Sequence, residues 1–126
     1  LIPRIRGLDD SSRDWSPSMV LEHLVKVGRQ IRDTVIELSV NRTPPMPPEL
    51  EALKAVGGED AKSIVAEYRA FMSDYVETLA KATGVHHSTA THEHPQFGEL
   101  DAQQWMVLGA LHQRIRRRQL ERILTF

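Results

Sequence analysis

Two histidines stand in this chain where leucines would be expected. His23 lies in the apolar run Met19-Val20-Leu21-Glu22-His23-Leu24-Val25, and His112 closes the run Trp105-Met106-Val107-Leu108-Gly109-Ala110-Leu111-His112. Both runs have helical apolar spacing, so both imidazoles point with the apolar face. Two imidazoles facing the inside of a helical bundle make a buried polar site. Neutral imidazole nitrogens are good ligands for zinc, nickel or iron. One turn after His112, where a third ligand would be useful, stands Arg116.

That arginine decides between three chemistries. A guanidinium keeps its proton at any ordinary pH and cannot ligate a metal. At about 4–6 Å from a dication, with an effective dielectric near 20, it repels by roughly 5–8 kcal/mol. Catalytic zinc normally takes three protein ligands plus water, and here two are visible. A second reading makes Arg116 the charge that replaces the metal, forming an anion pocket with His23 and His112. Arginine suits carboxylate or phosphate because its donors come in parallel pairs. The third reading is the plain one, in which both histidines are half-buried and hydrogen-bonded to neighbours. The expected site is therefore His23, His112 and Arg116, converging inside the bundle without a tightly bound dication.

Other chemistry-bearing residues carry less. His86, His87, His92 and His94 gather in one loop, but their spacing is not that of ligands on a helix, and solvated or locally bonded histidines are expected. His94-Pro95 reads as packing against the start of the following helix. Arg114, Arg118 and Arg122 share a helix face near a C-terminus, where cations are favoured. No G-x-S-x-G elbow and no phosphate-binding loop is present. Glu22 adjoins His23, but helix neighbours diverge by about 100° and do not form a catalytic pair.

Composition sets the bounds. At 126 residues the chain holds one domain with one modest core. The formal net charge of -1 gives no electrostatic case for binding nucleic acid. No apolar run approaches the roughly 20 residues of a membrane span, and no signal peptide opens the chain. There is no cysteine, which removes disulfides, thiolate nucleophiles and cysteine-based zinc sites. A cytoplasmic location is the default. The chain opens on Leu1, and Leu1-Ile2-Pro3-Arg4-Ile5-Arg6-Gly7-Leu8 reads as a connector leaving an upstream helix.

The elements that would position the site have clear starts. Ser16 is a good N-cap, Pro17 a good first helical residue, and Trp15 can staple onto Val20. Val20, Leu24, Val27, Ile31, Val35 and Leu38 then recur at helical spacing. This predicts a helix over 17–40, stopped before Pro44-Pro45-Met46-Pro47-Pro48, a loop with polyproline II character. Glu49 to Val56 reads as a short helix ended by Gly57-Gly58. A second long helix is predicted over 59–83. Glu59 and Asp60 stand in its first turn, its stripe is Ile64-Val65-Tyr68-Met72-Tyr75-Val76-Leu79, and Gly84 is its stop. Residues 85 to 99 read as a loop. A third long helix is predicted over 101–124, with Asp101 and Gln104 as capping box and Leu100 and Trp105 as staple. Its inner line is Trp105, Leu108, His112, Ile115, Gln119 and Ile123. No strand is expected. Three amphipathic helices make an all-α bundle with an open groove for a further helix or a dimer partner.

Two stretches together resemble a known family. Asp14-Trp15-Ser16-Pro17-Ser18-Met19-Val20-Leu21-Glu22-His23-Leu24 is similar to the second helix of the DinB-like (damage-inducible) superfamily. So is His94-Pro95-Gln96-Phe97-Gly98-Glu99-Leu100-Asp101-Ala102-Gln103-Gln104-Trp105 to its last, with His112 seven residues on and Gln119 seven beyond. The resemblance spans about residues 9 to 123. It implies an up-and-down-type four-helix bundle, usually a homodimer, whose first helix would precede Leu1. It also implies a divalent metal, zinc or nickel, held by three histidines. His23 matches the first ligand and His112 the second, while Arg116 stands at the third. Some members are thiol-dependent transferases or isomerases using small thiols such as bacillithiol or mycothiol. The departure at Arg116 instead implies a protein that binds a small molecule or anion at a degenerate metal site.

Overall fold

The structure is a computed structural model that describes residues 12–44, 50–58 and 60–125. The connector at 1–8, residue Glu59 and most of the proline-rich loop lie outside the described residues. The elements in chain order are α1 (Pro17–Ser39), α2 (Leu50–Leu53), α3 (Ala61–Lys81), a 3₁₀ turn (Thr83–His86), β1 (Thr91–His94), β2 (Gly98–Asp101) and α4 (Ala102–Thr125). The protein is thus mostly helical, with three long helices and one small hairpin.

The helix starts follow local chemistry. Ser16 accepts the amide of Met19 at 3.2 Å and Pro17 opens α1. Trp15, Val20 and Leu24 form one buried cluster, so the staple is made. At α4 the capping box closes in both directions: the Asp101 amide donates to Gln104 at 2.9 Å and the Gln104 amide to Asp101 at 2.8 Å. Each such cap is worth about 1 kcal/mol.

α1 is the central element and packs along both α3 and α4. The end of α1 meets the start of α4 in a core of Ile31, Val35, Leu38, Val85, Ala102 and Trp105. Its beginning meets the end of α4, where Leu120 and Ile123 close on Trp15, Val20 and Leu24. These two helices therefore run antiparallel. α3 runs parallel to α1. Arg29 faces Glu67, Gly28 lies under Phe71, and Arg32 pairs with Asp74 at 2.7 Å. Gly28 allows that approach, since a Cβ there would collide with the Phe71 ring. Because α1 and α3 are parallel, the long helices do not simply alternate, as the up-and-down expectation required. The end of α1 and the start of α3 therefore lie at opposite ends of α1, which a 23-residue helix makes about 34 Å long.

Five further expectations are corrected. The segment 85–99 is not a plain loop, and the expectation of no strand fails: β1 pairs antiparallel with β2 in the register Thr91–Asp101 to His94–Gly98. Four-residue strands are too short to show a period of two. Gly98, at φ 74°, supplies the turn that other residues resist. Asp60 is the N-cap of α3, accepting from Ser63, and not a first-turn residue. Gly84 is not the stop of α3, which ends at Lys81; it lies in the 3₁₀ turn, where a Cβ would collide with the carbonyl of Ser39. The short helix, Leu50–Leu53 among the described residues, ends at Leu53 and not at Val56. In α3 the buried residues are Ile64 and Phe71, whereas Val65 and Val76 of the expected stripe are exposed. Phe71 had no place in that stripe.

Candidate functional site

The antiparallel crossing of α1 and α4 sets the site. His23 is in the second turn of α1, and His112 and Arg116 are one turn apart on α4. The crossing brings all three together beside the cap and staple that fix the start of α1. His23 Nε2 lies 3.1 Å from His112 Nε2, and Arg116 Nη2 lies 3.1 Å from the same His23 nitrogen. His23 and Arg116 are each 7% exposed, and His112 is half-buried.

The hydrogen bonds fix the tautomers. His23 Nδ1 lies 2.7 Å from the backbone carbonyl of Leu53. A carbonyl only accepts, so Nδ1 carries the hydrogen. The Nε2 of a neutral His23 is then an acceptor. Arg116 donates to it, and His112 reaches it by carrying its own hydrogen on Nε2. Both imidazoles stay neutral. The pKa of His23 is lowered to about 4 by burial and by the Arg116 charge, with Lys26 adding to that and the Leu53 carbonyl and Glu22 opposing it. That of His112 is lowered to about 3 by burial, then by His23 and Arg116.

Arg116 is held on several sides. Its Nη1 donates to Ser12 Oγ at 3.0 Å and to Gln119 Oε1 at 2.8 Å. Its guanidinium carbon lies 5.0 Å from the Trp15 ring centroid, a cation–π geometry. Trp15 also packs its ring 5.1 Å from that of His23. Gln119 is fully buried and donates in turn to the backbone carbonyl of Ser12 at 2.7 Å. Residues 12–15 thus form one wall of the site. Leu53, in the short helix α2, sits on His23 from another side.

The four loop histidines take no part in this cluster. His94 Nδ1 accepts the amides of Gln96 at 3.0 Å and Phe97 at 3.4 Å, and its ring packs 5.4 Å from Trp105. Burial lowers its pKa. The His92 ring stacks 6.0 Å from Trp105, whose indole donates to the His92 carbonyl at 3.3 Å. Both serve the start of α4, several turns from His112. His86 and His87 are exposed.

A three-histidine metal centre can be tested against these contacts. Two imidazole nitrogens on one zinc, at bonds of about 2.0–2.1 Å, span roughly 3–3.4 Å. The 3.1 Å between His23 and His112 fits. The Nδ1–H to carbonyl bond of His23 is also what holds a metal-bound imidazole in place. The third position does not fit. Arg116 directs a hydrogen-bond donor at the lone pair that a metal would need. Among the described residues no group of three histidine, cysteine, aspartate or glutamate side chains gathers to hold a metal.

Sequence reasoning identified the three central residues but not their surroundings. Gln119 stood on the expected inner line of α4, and its spacing of three from Arg116 was a usable signal. Ser12 and the Leu53 carbonyl are brought in by the fold and left no mark in the sequence. Trp15 was read as a staple and is also the aromatic face under the guanidinium. Among the described residues, no helix is long and apolar enough to cross a membrane. No family model matches the chain, and neither the curated proteins nor the solved structures contain a match to it.

Proposed function

We propose that this protein is a DinB-like bundle that has exchanged its metal for an arginine and binds a small anion or anionic small molecule at His23, His112 and Arg116. One observation carries the reading: Arg116 Nη2 stands 3.1 Å from His23 Nε2, in the place of a third ligand. The guanidinium supplies positive charge there without a metal, and the neutral imidazoles supply polar contacts around it. Two of its acceptors, Ser12 Oγ and Gln119 Oε1, are neutral. A carboxylate or phosphate oxygen makes a bond roughly twice as strong, so an anion can displace the Ser12 hydroxyl. The test is a titration with acetate and with inorganic phosphate, followed by the indole signals of Trp15 and the ring signals of His112. Saturable shifts that vanish in Arg116→Gln are expected. Their absence for every small anion tried rejects the reading.

A divalent-metal-dependent thiol transferase or isomerase is the second reading, favoured by the separation of the two imidazole nitrogens. It requires Arg116 to leave. Stoichiometric zinc or nickel in the purified parent chain, lost in His112→Ala, would establish it. On the first reading the parent takes up neither metal and Arg116→His gains one. The same reading carries a homodimer, for which the exposed Val76, Val107, Leu111 and Leu124 offer apolar surface. Sedimentation of the pure chain as a monomer at high concentration counts against it.

A further inference from the structure

We propose that the segment 50–58 is a strap that gates the His23–His112–Arg116 site, fastened through the site's own imidazole. The proposal rests on the reading of those three residues as a ligand site, and it concerns how that site opens.

Four separate bonds fasten the strap to one face of α1. His23 Nδ1 donates to the Leu53 carbonyl at 2.7 Å. Lys26 Nζ donates to the Lys54 carbonyl at 3.1 Å. The amides of Val56 and Gly57 donate to the two carboxylate oxygens of Glu22, at 2.7 and 3.1 Å. Lys26 also pairs with Glu22 at 2.9 Å. Glu22, His23 and Lys26 thus hold four residues of the strap, Leu53, Lys54, Val56 and Gly57. Ala55 packs into the cluster of Trp15, Val20 and Leu24, the same tryptophan that covers Arg116.

The other side of the strap is loosely filled. A cleft of about 250 Å³ opens between Val56 and Gly57 of the strap, Glu22, Lys26 and Arg29 of α1, and Glu67 of α3. The strap therefore has room to swing toward α3, at the cost of the contact that Ala55 makes with the apolar cluster. Gly57 and Gly58 end it with φ of 86° and 84°, a backbone conformation that suits a hinge.

The imidazole makes the gate responsive. One ring nitrogen of His23 holds the strap while the other faces Arg116 and His112. Any group that binds more strongly at Nε2 polarises the ring and strengthens the bond from Nδ1–H to Leu53. A ligand that changes how Arg116 bears on that nitrogen therefore changes the bond that holds the strap, and the coupling is reciprocal.

Two measurements on the full chain test this without any ligand. Amide exchange at Val56 and Gly57 reports whether the strap is fastened. Carbethoxylation of His112 by diethyl pyrocarbonate, followed by mass spectrometry, reports whether the imidazoles are reachable, with exposed His86 and His87 as the internal standard. Glu22→Gln, which leaves the three site residues themselves unchanged, should speed both by about tenfold while Val35 and Leu38 amides stay slow. Lys26→Met should move both in the same direction. If exchange rises and His112 reactivity does not, the strap is no gate. If neither changes, Glu22 is no latch. Replacement of His23 separates coupling from packing. His23→Asn keeps a donor for Leu53 and should keep Val56 and Gly57 slow, whereas His23→Val should not. Equal exchange in the two variants overturns the link through the imidazole. Acetate and phosphate titrations read the site itself, so failure of the gate and failure of the binding site give different results.

Discussion

The two ends of the α1–α4 interface are built on opposite principles. At one end Ile31, Val35, Leu38, Val85, Ala102 and Trp105 pack as an apolar core. At the other, some two turns away along the same helices, His23, Arg116, Gln119 and Ser12 are equally buried. The first end draws its stability from apolar area removed from water, at about 25 cal/mol per Å². The second gains little from area and depends on every polar group finding a partner, because a buried polar group left unsatisfied costs about 1–3 kcal/mol. An interface could be held by the apolar end alone. The polar end is retained at a cost, which is the expected mark of a functional site.

The largest effect that this contrast predicts is at the apolar end. Trp105→Ala removes the most deeply packed aromatic and should destabilise by about 3–5 kcal/mol in urea unfolding. Because Trp105 also covers His94, whose pKa burial lowers, the loss should be slightly smaller at pH 5 than at pH 7. A strongly pH-dependent loss would mean that the two ends are coupled more tightly than their separation suggests.

The next effect belongs to the polar end and separates it from the apolar one. His23 and His112 have folded pKa values of about 4 and about 3, against about 6.5 unfolded. A depressed pKa means that the unfolded chain binds more protons. Stability contributed by the neutral imidazoles is therefore full above pH 6.5 and is lost as pH falls toward those values. By pH 5 the loss is at most about 2 kcal/mol per imidazole, about 4 kcal/mol for the pair. Replacing both histidines with asparagine should flatten the curve of stability against pH between 5 and 7. A curve as steep as the parent's would place the titration elsewhere.

A smaller change sharpens the same comparison. Gln119→Leu keeps the volume but leaves Arg116 Nη1 short of one acceptor and the Ser12 carbonyl short of its donor. A cost of about 2 kcal/mol is expected, although an apolar residue has been added to a buried position. On the apolar end the comparable change Leu38→Met should cost less than about 1.5 kcal/mol. If Gln119→Leu proves neutral or stabilising, the polar network is not held by hydrogen bonding and the contrast fails.

The helices were legible in the sequence because their signals are local. Ser16-Pro17 and Asp101 with Gln104 act within one turn, and Trp15 with Val20 and Leu100 with Trp105 within five residues. His23, His112 and Arg116 were legible for a related reason. Helical spacing shows which face a residue occupies, and a histidine on an apolar face is conspicuous. The hairpin at 91–101 was missed because four-residue strands carry too little pattern to show a period. Phe71 was missed because its burial depends on Gly28 of another helix, and Gly84 because its neighbour Ser39 is far away in the chain.

By itself, then, the sequence determined where α1 and α4 begin, which face of α1 turns inward, and that a fixed positive charge stands one turn from His112. Each of these follows from backbone bonding and side-chain spacing over a few residues. The tertiary structure alone decided that α1 and α3 run parallel, as the pairing of Arg29 with Glu67 and of Arg32 with Asp74 shows. It also decided that the Leu53 carbonyl sets the tautomer of His23 and that Ser12 and Gln119 enclose Arg116. Those contacts join residues 30 to 107 positions apart, and only the packing of the chain on itself brings such groups within reach of a hydrogen bond.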